Sequence, residues 1–201
     1  MQPDPAELTL RAPAARTRTP PLVFGMVLFL ASELMFFGGL FASYFTLRGL
    51  TTVWPPSQVH LDLVEPLVAT LILTASSVTM HAATQGLRRA DPAALQRWLA
   101  LTFLLGAVFL GIKAHEFTVA GFGISSHAYG SLFYTMLGAH GLHLAVGMVL
   151  LAVVYARSLA GAYDGARVNG GPHAGPEAVG WYWHFVDVVW LGIFSTIWLV
   201  R

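Results

Sequence analysis

The chain has 201 residues, 56% hydrophobic and only 10% charged, against roughly a quarter charged in soluble domains, so lipid is the expected solvent for much of it. A net charge of +1 offers no basic surface and excludes nucleic acid as a partner. Cysteine is absent; disulfides, thiolate metal sites and covalently attached c-type haem are excluded with it, leaving His, Asp and Glu as the strong metal ligands.

In chain order, residues 1–21 form a polar arm rich in Pro, Ala and Arg that includes Asp4 and Glu7. It reads as a retained, disordered cytoplasmic arm, because the apolar stretch after it far exceeds a signal-peptide core of roughly 7–15 residues. Five spans follow within a membrane domain over 22–201. The first, 22–47, holds one charge, Glu33. The second, 66–87, comes after the turn signal WPP at Trp54–Pro56 and ends at Arg88 and Arg89. The third, 95–118, is apolar until Lys113, His115 and Glu116. The fourth, 128–155, carries His140 and His143, and the fifth, 179–200, follows a loop of Gly, Pro and Ala. Each is long enough to cross a bilayer as a helix, which takes roughly 20 apolar residues. The apolar runs are continuous rather than alternating, which excludes a membrane β-barrel. The fold class is therefore all-α, an integral membrane bundle of five transmembrane helices.

Basic residues set the orientation. Arg11, Arg16, Arg18, Arg88, Arg89, Arg97, Arg157 and Arg167 fall on one side, and Arg48 and Arg201 on the other, with Lys113 at a helix end. The positive-inside rule puts the first group, and the N-terminus, in the cytoplasm and the C-terminus outside. Small residues (Gly38, Gly39, Ala75, Ser76, Ser77, Gly106, Gly111, Gly138, Gly141, Gly147) read as places where helix backbones approach closely.

Ionisable groups inside a membrane are functional candidates by default. At about 1.5 Å per residue, Glu33 lies about 17 Å from the inner end of its span and His143 about 18 Å from that of its own. These two are expected to share a layer. His81 and His184 would form a shallower layer at roughly 8–9 Å, with Asp187 a little above it. Glu33 reads either as a carboxyl bonded to a neighbouring helix or as a polar waypoint for protons, lipid head-groups or a small ligand. His140 and His143 in HGLH project from one helix face. Two histidines need a further ligand to hold a metal, and none accompanies them at a known spacing, so hydrogen-bonded packing between helices is favoured and no metal site is assigned. His184 and Asp187 share the same spacing, with the carboxylate expected to accept from the imidazole, as a structural clamp or in transport. Lys113 and Glu116 read as a local ion pair whose ammonium snorkels outward. Trp181, Tyr182 and Trp183 fit an inner aromatic belt and Trp198 an outer one.

Five segments, in order, resemble subunit III of the haem–copper oxidases, most closely the cytochrome c oxidase type. They are FGMVLFLASELMFFGGLFASYF (Phe24–Phe45), WPP (Trp54–Pro56), KAHEF (Lys113–Phe117), YGSLFYTMLGAHGLHLAVG (Tyr129–Gly147) and WYWHFVDVVWLGIFSTIW (Trp181–Trp198). The resemblance implies an accessory chain of a terminal oxidase that reduces oxygen to water coupled to proton translocation. It implies no catalytic residue, metal or redox centre here; haem and copper would sit in partners, the haem–copper subunit I and the copper-bearing subunit II. It further implies support of assembly, bound phospholipid, oxygen and proton access, and a multi-pass place in a bacterial inner membrane. Glu33 falls on the family's intramembrane carboxylate, and His140, His143, His184 and Asp187 match its polar positions.

Longer members have seven spans, whereas this chain resembles the five-span bacterial forms, so part of the lipid cleft would come from elsewhere. The family's acidic residue before YGS is replaced by Ser125, Ser126 and His127, with His127 read as a solvated substitution. A quinol oxidase or nitric oxide reductase subunit would share the fold. A stand-alone proton-linked transporter using Glu33, His143 and Asp187, or a metalloenzyme on His140 and His143, are the readings from other classes; no internal repeat supports the former.

Overall fold

Backbone groups inside a bilayer find no water, so an apolar chain satisfies them within helices. The computed structural model describes residues 21–57, 59, 62–163 and 174–200. Residues 1–20 of the arm, most of the loop before the fifth span with Arg167, and Arg201 lie outside the described residues. Five helices, α1 (Pro21–Leu50), α2 (Val64–Arg88), α3 (Pro92–Val119), α4 (Ala128–Leu159) and α5 (Ala174–Phe194), are followed by a π-helical turn, Ser195–Leu199. All five, α5 with its π turn, are long and apolar enough to cross a membrane, and no strand occurs among the described residues.

Local chemistry sets the helix starts. Asp91 accepts from the Ala94 N–H at 2.9 Å with Pro92 just inside, so α3 starts three residues before the span expected from Leu95. His127 does the same for α4, its Nδ1 accepting from the Gly130 N–H at 2.7 Å. The residue expected to be a solvated substitution is therefore a helix cap. Helix α5 begins at Ala174 rather than Val179, which puts His184 and Asp187 about 15 and 20 Å along it at 1.5 Å per residue.

Helices α2 and α3 form the closest hairpin, α3 lies on α4, and α5 packs against α2 and α4; α1 rests chiefly on α5 and α4. Helix α5 is the most buried of the five and α1 the least. Arg88 pairs with Glu177 at 3.3 Å, and Gln96 donates to the Ser158 carbonyl at 3.3 Å. Arg88, Arg89, Arg97 and Arg157 are thereby gathered at one end of the bundle. Arg48 donates to the Val200 carbonyl at the other.

The α5 sequence docks on α2 through a polar ladder. Trp190 Nε1 donates to Thr70 Oγ1 at 2.9 Å, Trp183 Nε1 donates to Ser76 Oγ at 3.1 Å, and His184 Nδ1 shares a hydrogen bond with Ser77 Oγ at 2.6 Å. The aromatic belts are accordingly overturned. Trp181 alone of its trio faces outward, 52% exposed, while Tyr182, Trp183 and Trp198 are buried. An indole with a partner for its N–H is more favourable inside a tightly packed bundle than at a wet rim.

The small residues also act differently from the expectation. Gly106 and Gly147 lie against the Trp183 ring, where an added Cβ would meet ring carbons at 2.8 Å and 3.2 Å. They seat an indole rather than a second helix backbone. Gly38, Gly39, Gly111 and Gly138 have nothing within 4 Å of an added Cβ.

Candidate functional site

Helix α1 brings Glu33 to the bundle where α4 brings His143, and Glu33 Oε2 lies 2.8 Å from His143 Nε2. Both side chains are only 17% exposed. The layer expected from rise per residue thus joins the two groups, because helices of opposite direction with similar offsets from one end meet at one height. Phe36 and Phe37 wall the imidazole, with ring centroids 6.0 and 5.1 Å away. Tyr182 of α5 donates to the His143 carbonyl at 2.8 Å, so three helices meet there.

The hydrogen-bond pattern fixes the proton count. His143 Nδ1 lies 2.7 Å from the Ala139 carbonyl, which only accepts, so Nδ1 carries a hydrogen. The Nε2 to Oε2 bond then contains one proton, held either by an imidazolium facing a carboxylate or by a carboxyl facing a neutral imidazole. Both arrangements are neutral overall. The pair is a single proton-sharing unit in a mostly apolar wall.

His140 does not take part. It is fully buried, neither ring nitrogen has a hydrogen-bond partner, and Phe109 and Trp190 pack against it at 5.7 and 5.2 Å between centroids. The expectation of hydrogen-bonded packing is overturned for His140 and holds for His143. One turn of helix separates them, and only His143 faces α1.

His184 and Asp187 do not bond each other. His184 is engaged with Ser77, and neither carboxyl oxygen of Asp187 makes a hydrogen bond. The expected carboxylate-to-imidazole contact fails because the rotation of α5 directs His184 at the α2 hydroxyl. His81 bonds Gln85 at 2.9 Å on the outward face of α2, one turn from Ser77.

Lys113 Nζ lies 2.6 Å from Glu116 Oε2, the local ion pair expected. The snorkelling is overturned: both side chains are under one-tenth exposed. The ammonium points inward beneath Trp190, Trp198 and Phe109, at 4.5, 5.1 and 5.8 Å from their centroids. Aromatic faces attract a cation most where water is absent, and the π turn carries Trp198 into this cage. Nearby, Glu65 meets the exposed His115 at 3.1 Å.

Thr70, Ser76, Ser77 and Tyr182 make hydrogen bonds that the sequence does not announce; Ser76 and Ser77 read there only as places of close helix approach and Tyr182 as part of an aromatic belt. A signal existed for three of them. Trp183 and Trp190 stand about two turns apart on α5, as their acceptors Ser76 and Thr70 do on α2, with Ser77 next along for His184, so the two sets register side by side. Among the described residues no three His, Asp or Glu side chains gather as a metal-ligand set.

The chain matches the sequence family of cytochrome c oxidase subunit III over residues 6–200. The chain belongs to the cytochrome c oxidase subunit III family. It is 37% identical over 179 residues to the cytochrome c oxidase subunit 3 of Thermostichus vulcanus, covering 89% of this chain and 87% of that one. It is 38% identical over 181 residues to the probable subunit 3 of Nocardia farcinica, covering 88% and 87%. The Synechocystis subunit 3 is 38% identical over 180 residues, covering 89% and 75%. As a subunit III, the chain is a multi-pass membrane component of an oxidase complex rather than a free-standing transporter.

Proposed function

We propose that the chain serves a terminal cytochrome c oxidase of a bacterial cytoplasmic membrane as its accessory subunit, N-terminus inside and C-terminus outside. Oxygen reduction and electron transfer belong to the haem–copper subunit I and the copper-bearing subunit II beside it. This chain supports assembly, holds phospholipid, and tunes the access of protons and oxygen to its partner. The observation that carries this reading is the Glu33–His143 bond, a neutral proton-sharing unit near mid-membrane on the least covered helix of the bundle. The orientation rests on the eight arginines of one side.

Glu33→Gln tests it. Glutamine keeps the size of the side chain and a hydrogen bond to Nε2 but has no acidic proton to share. In the purified oxidase the variant is expected to keep wild-type haem spectra and subunit content, while turnover, or the number of turnovers before inactivation, falls severalfold. Wild-type values for assembly, turnover rate and turnover lifetime together would remove the proposal.

A further inference from the structure

Between α2 and α5 a recess of about 270 Å³ opens on the outer surface of the bundle. Thr74, Ser77 and His184 give it polar groups, and Leu73 and Trp190 give it apolar walls. Val188 and Leu191 form an open rim, 65% and 45% exposed. Ser77 lies about 17 Å along α2 from Arg88, and Thr74 about 21 Å, at 1.5 Å per residue. Both fall within a hydrocarbon layer about 30 Å thick. Phospholipid head-groups do not reside at that depth, and an acyl chain offers nothing to a hydroxyl or an imidazole. At comparable depth α3 and α4 turn Phe103, Leu104, Val146 and Val149 outward, which is all that contact with acyl chains requires.

The polar groups have hydrogen-bonding capacity to spare. Ser77 Oγ engages His184 Nδ1 at 2.6 Å, and Nε2 makes no hydrogen bond among the described residues. Thr74 donates to the Thr70 carbonyl at 2.8 Å, and its oxygen can still accept. Ser77 decides what Nε2 offers. When its hydroxyl donates to Nδ1, Nε2 carries the hydrogen and donates. When the hydroxyl turns to the neighbouring Asp187, whose oxygens are otherwise unbonded, Nδ1–H donates to Ser77 and Nε2 accepts. One imidazole can therefore serve a carbonyl in the first state and a hydroxyl in the second. The enclosed Asp187 acts only through Ser77 and meets no ligand itself.

Size and spacing narrow the ligand. A dry cavity of about 150 Å³ already holds benzene, so this recess takes a substituted six-membered ring. Thr74 and Ser77 stand about 4.5 Å apart along α2, comparable to the span across such a ring. A hydrocarbon-soluble ring with oxygens on opposite carbons, as carbonyls or as hydroxyls, is a quinone or its quinol. We infer that the recess binds the head ring of a lipid-soluble quinone. One ring oxygen meets His184 Nε2, the other meets the Thr74 hydroxyl, and the alkyl tail leaves over Val188 and Leu191. This is a binding site separate from the Glu33–His143 pair, and no redox step is part of it.

The test uses the whole oxidase in lipid vesicles, with an azido-benzoquinone bearing a decyl tail as the probe. Light is expected to attach it to α2 or α5 peptides that border the recess, located by mass spectrometry. Excess decyl-benzoquinone is expected to suppress the adduct, and the same excess of decylbenzene to leave it. Thr74→Val keeps the shape of an exposed side chain and removes its hydroxyl. It is expected to raise the competition midpoint roughly fivefold, the effect of about one hydrogen bond. Val188→Trp, which closes the rim, is expected to abolish the adduct. Absence of an adduct on α2 and α5 in the wild-type oxidase overturns the inference. Equal suppression by decylbenzene reveals partitioning of hydrocarbon only and overturns it too. So does a wild-type midpoint for both Thr74→Val and Ser77→Ala. Each variant is compared at wild-type haem spectra and subunit content; should Ser77→Ala disturb these, Thr74→Val and the wild-type competition decide.

Discussion

Lys113→Met is expected to destabilise the folded chain by about 3–5 kcal/mol, read as a lowered thermal midpoint in detergent. The substitution leaves Glu116 buried without its cation at 2.6 Å and removes the ammonium from beneath Trp190 and Trp198. Both side chains are under one-tenth exposed and aromatic rings close over the ammonium, so little water can compensate the carboxylate. The double variant Lys113→Met with Glu116→Leu removes both charges and is expected to recover most of the loss, since well-packed apolar replacements of a buried pair are often neutral or better. If the double variant proves as unstable as the single one, the loss reflects shape in the aromatic cage rather than an orphaned charge.

Trp183→Ala is expected to lower stability by about 3–5 kcal/mol. Its ring is fully buried, rests on Gly106 and Gly147, and its Nε1 donates to Ser76. Truncation opens a cavity where α5 meets α2, α3 and α4, and close packing is a principal force between helices in lipid. Trp183→Phe keeps much of the volume and loses the hydrogen bond, so a loss of only about 1 kcal/mol is expected. Trp181→Ala, two residues earlier on the outward face, serves as the comparison and is expected to change stability by less than about 0.5 kcal/mol. Equal losses for Trp181→Ala and Trp183→Ala would contradict the assigned rotation of α5.

The contrast between these two tryptophans shows where sequence reading stops in a membrane bundle. In water, a polar stripe marks the outer face of a helix. Lipid removes that marker, because the outside and the inside are both apolar. Trp181 and Trp183 therefore look alike in sequence, and only the docking of α5 on α2 separates them. The same ambiguity explains His140 and His143. Their spacing puts them on neighbouring positions, yet only His143 meets a carboxylate, while His140 is enclosed by Phe109 and Trp190.

By itself the sequence determined five helices of membrane-crossing length, the sharing of one layer by Glu33 and His143, the ion pair of Lys113 with Glu116, and membership of the subunit III family. These follow from apolar run length, from a constant rise per residue and from contiguous motifs, all of which are local or one-dimensional. The tertiary structure alone decided that Lys113 turns inward, that His184 bonds Ser77 instead of Asp187, and that Asp187 is buried beside that pair with neither carboxyl oxygen in a hydrogen bond. Rotation about a helix axis is set by the neighbours a helix packs against. Those neighbours are distant in the chain, and when the solvent is as apolar as the core no local pattern announces them.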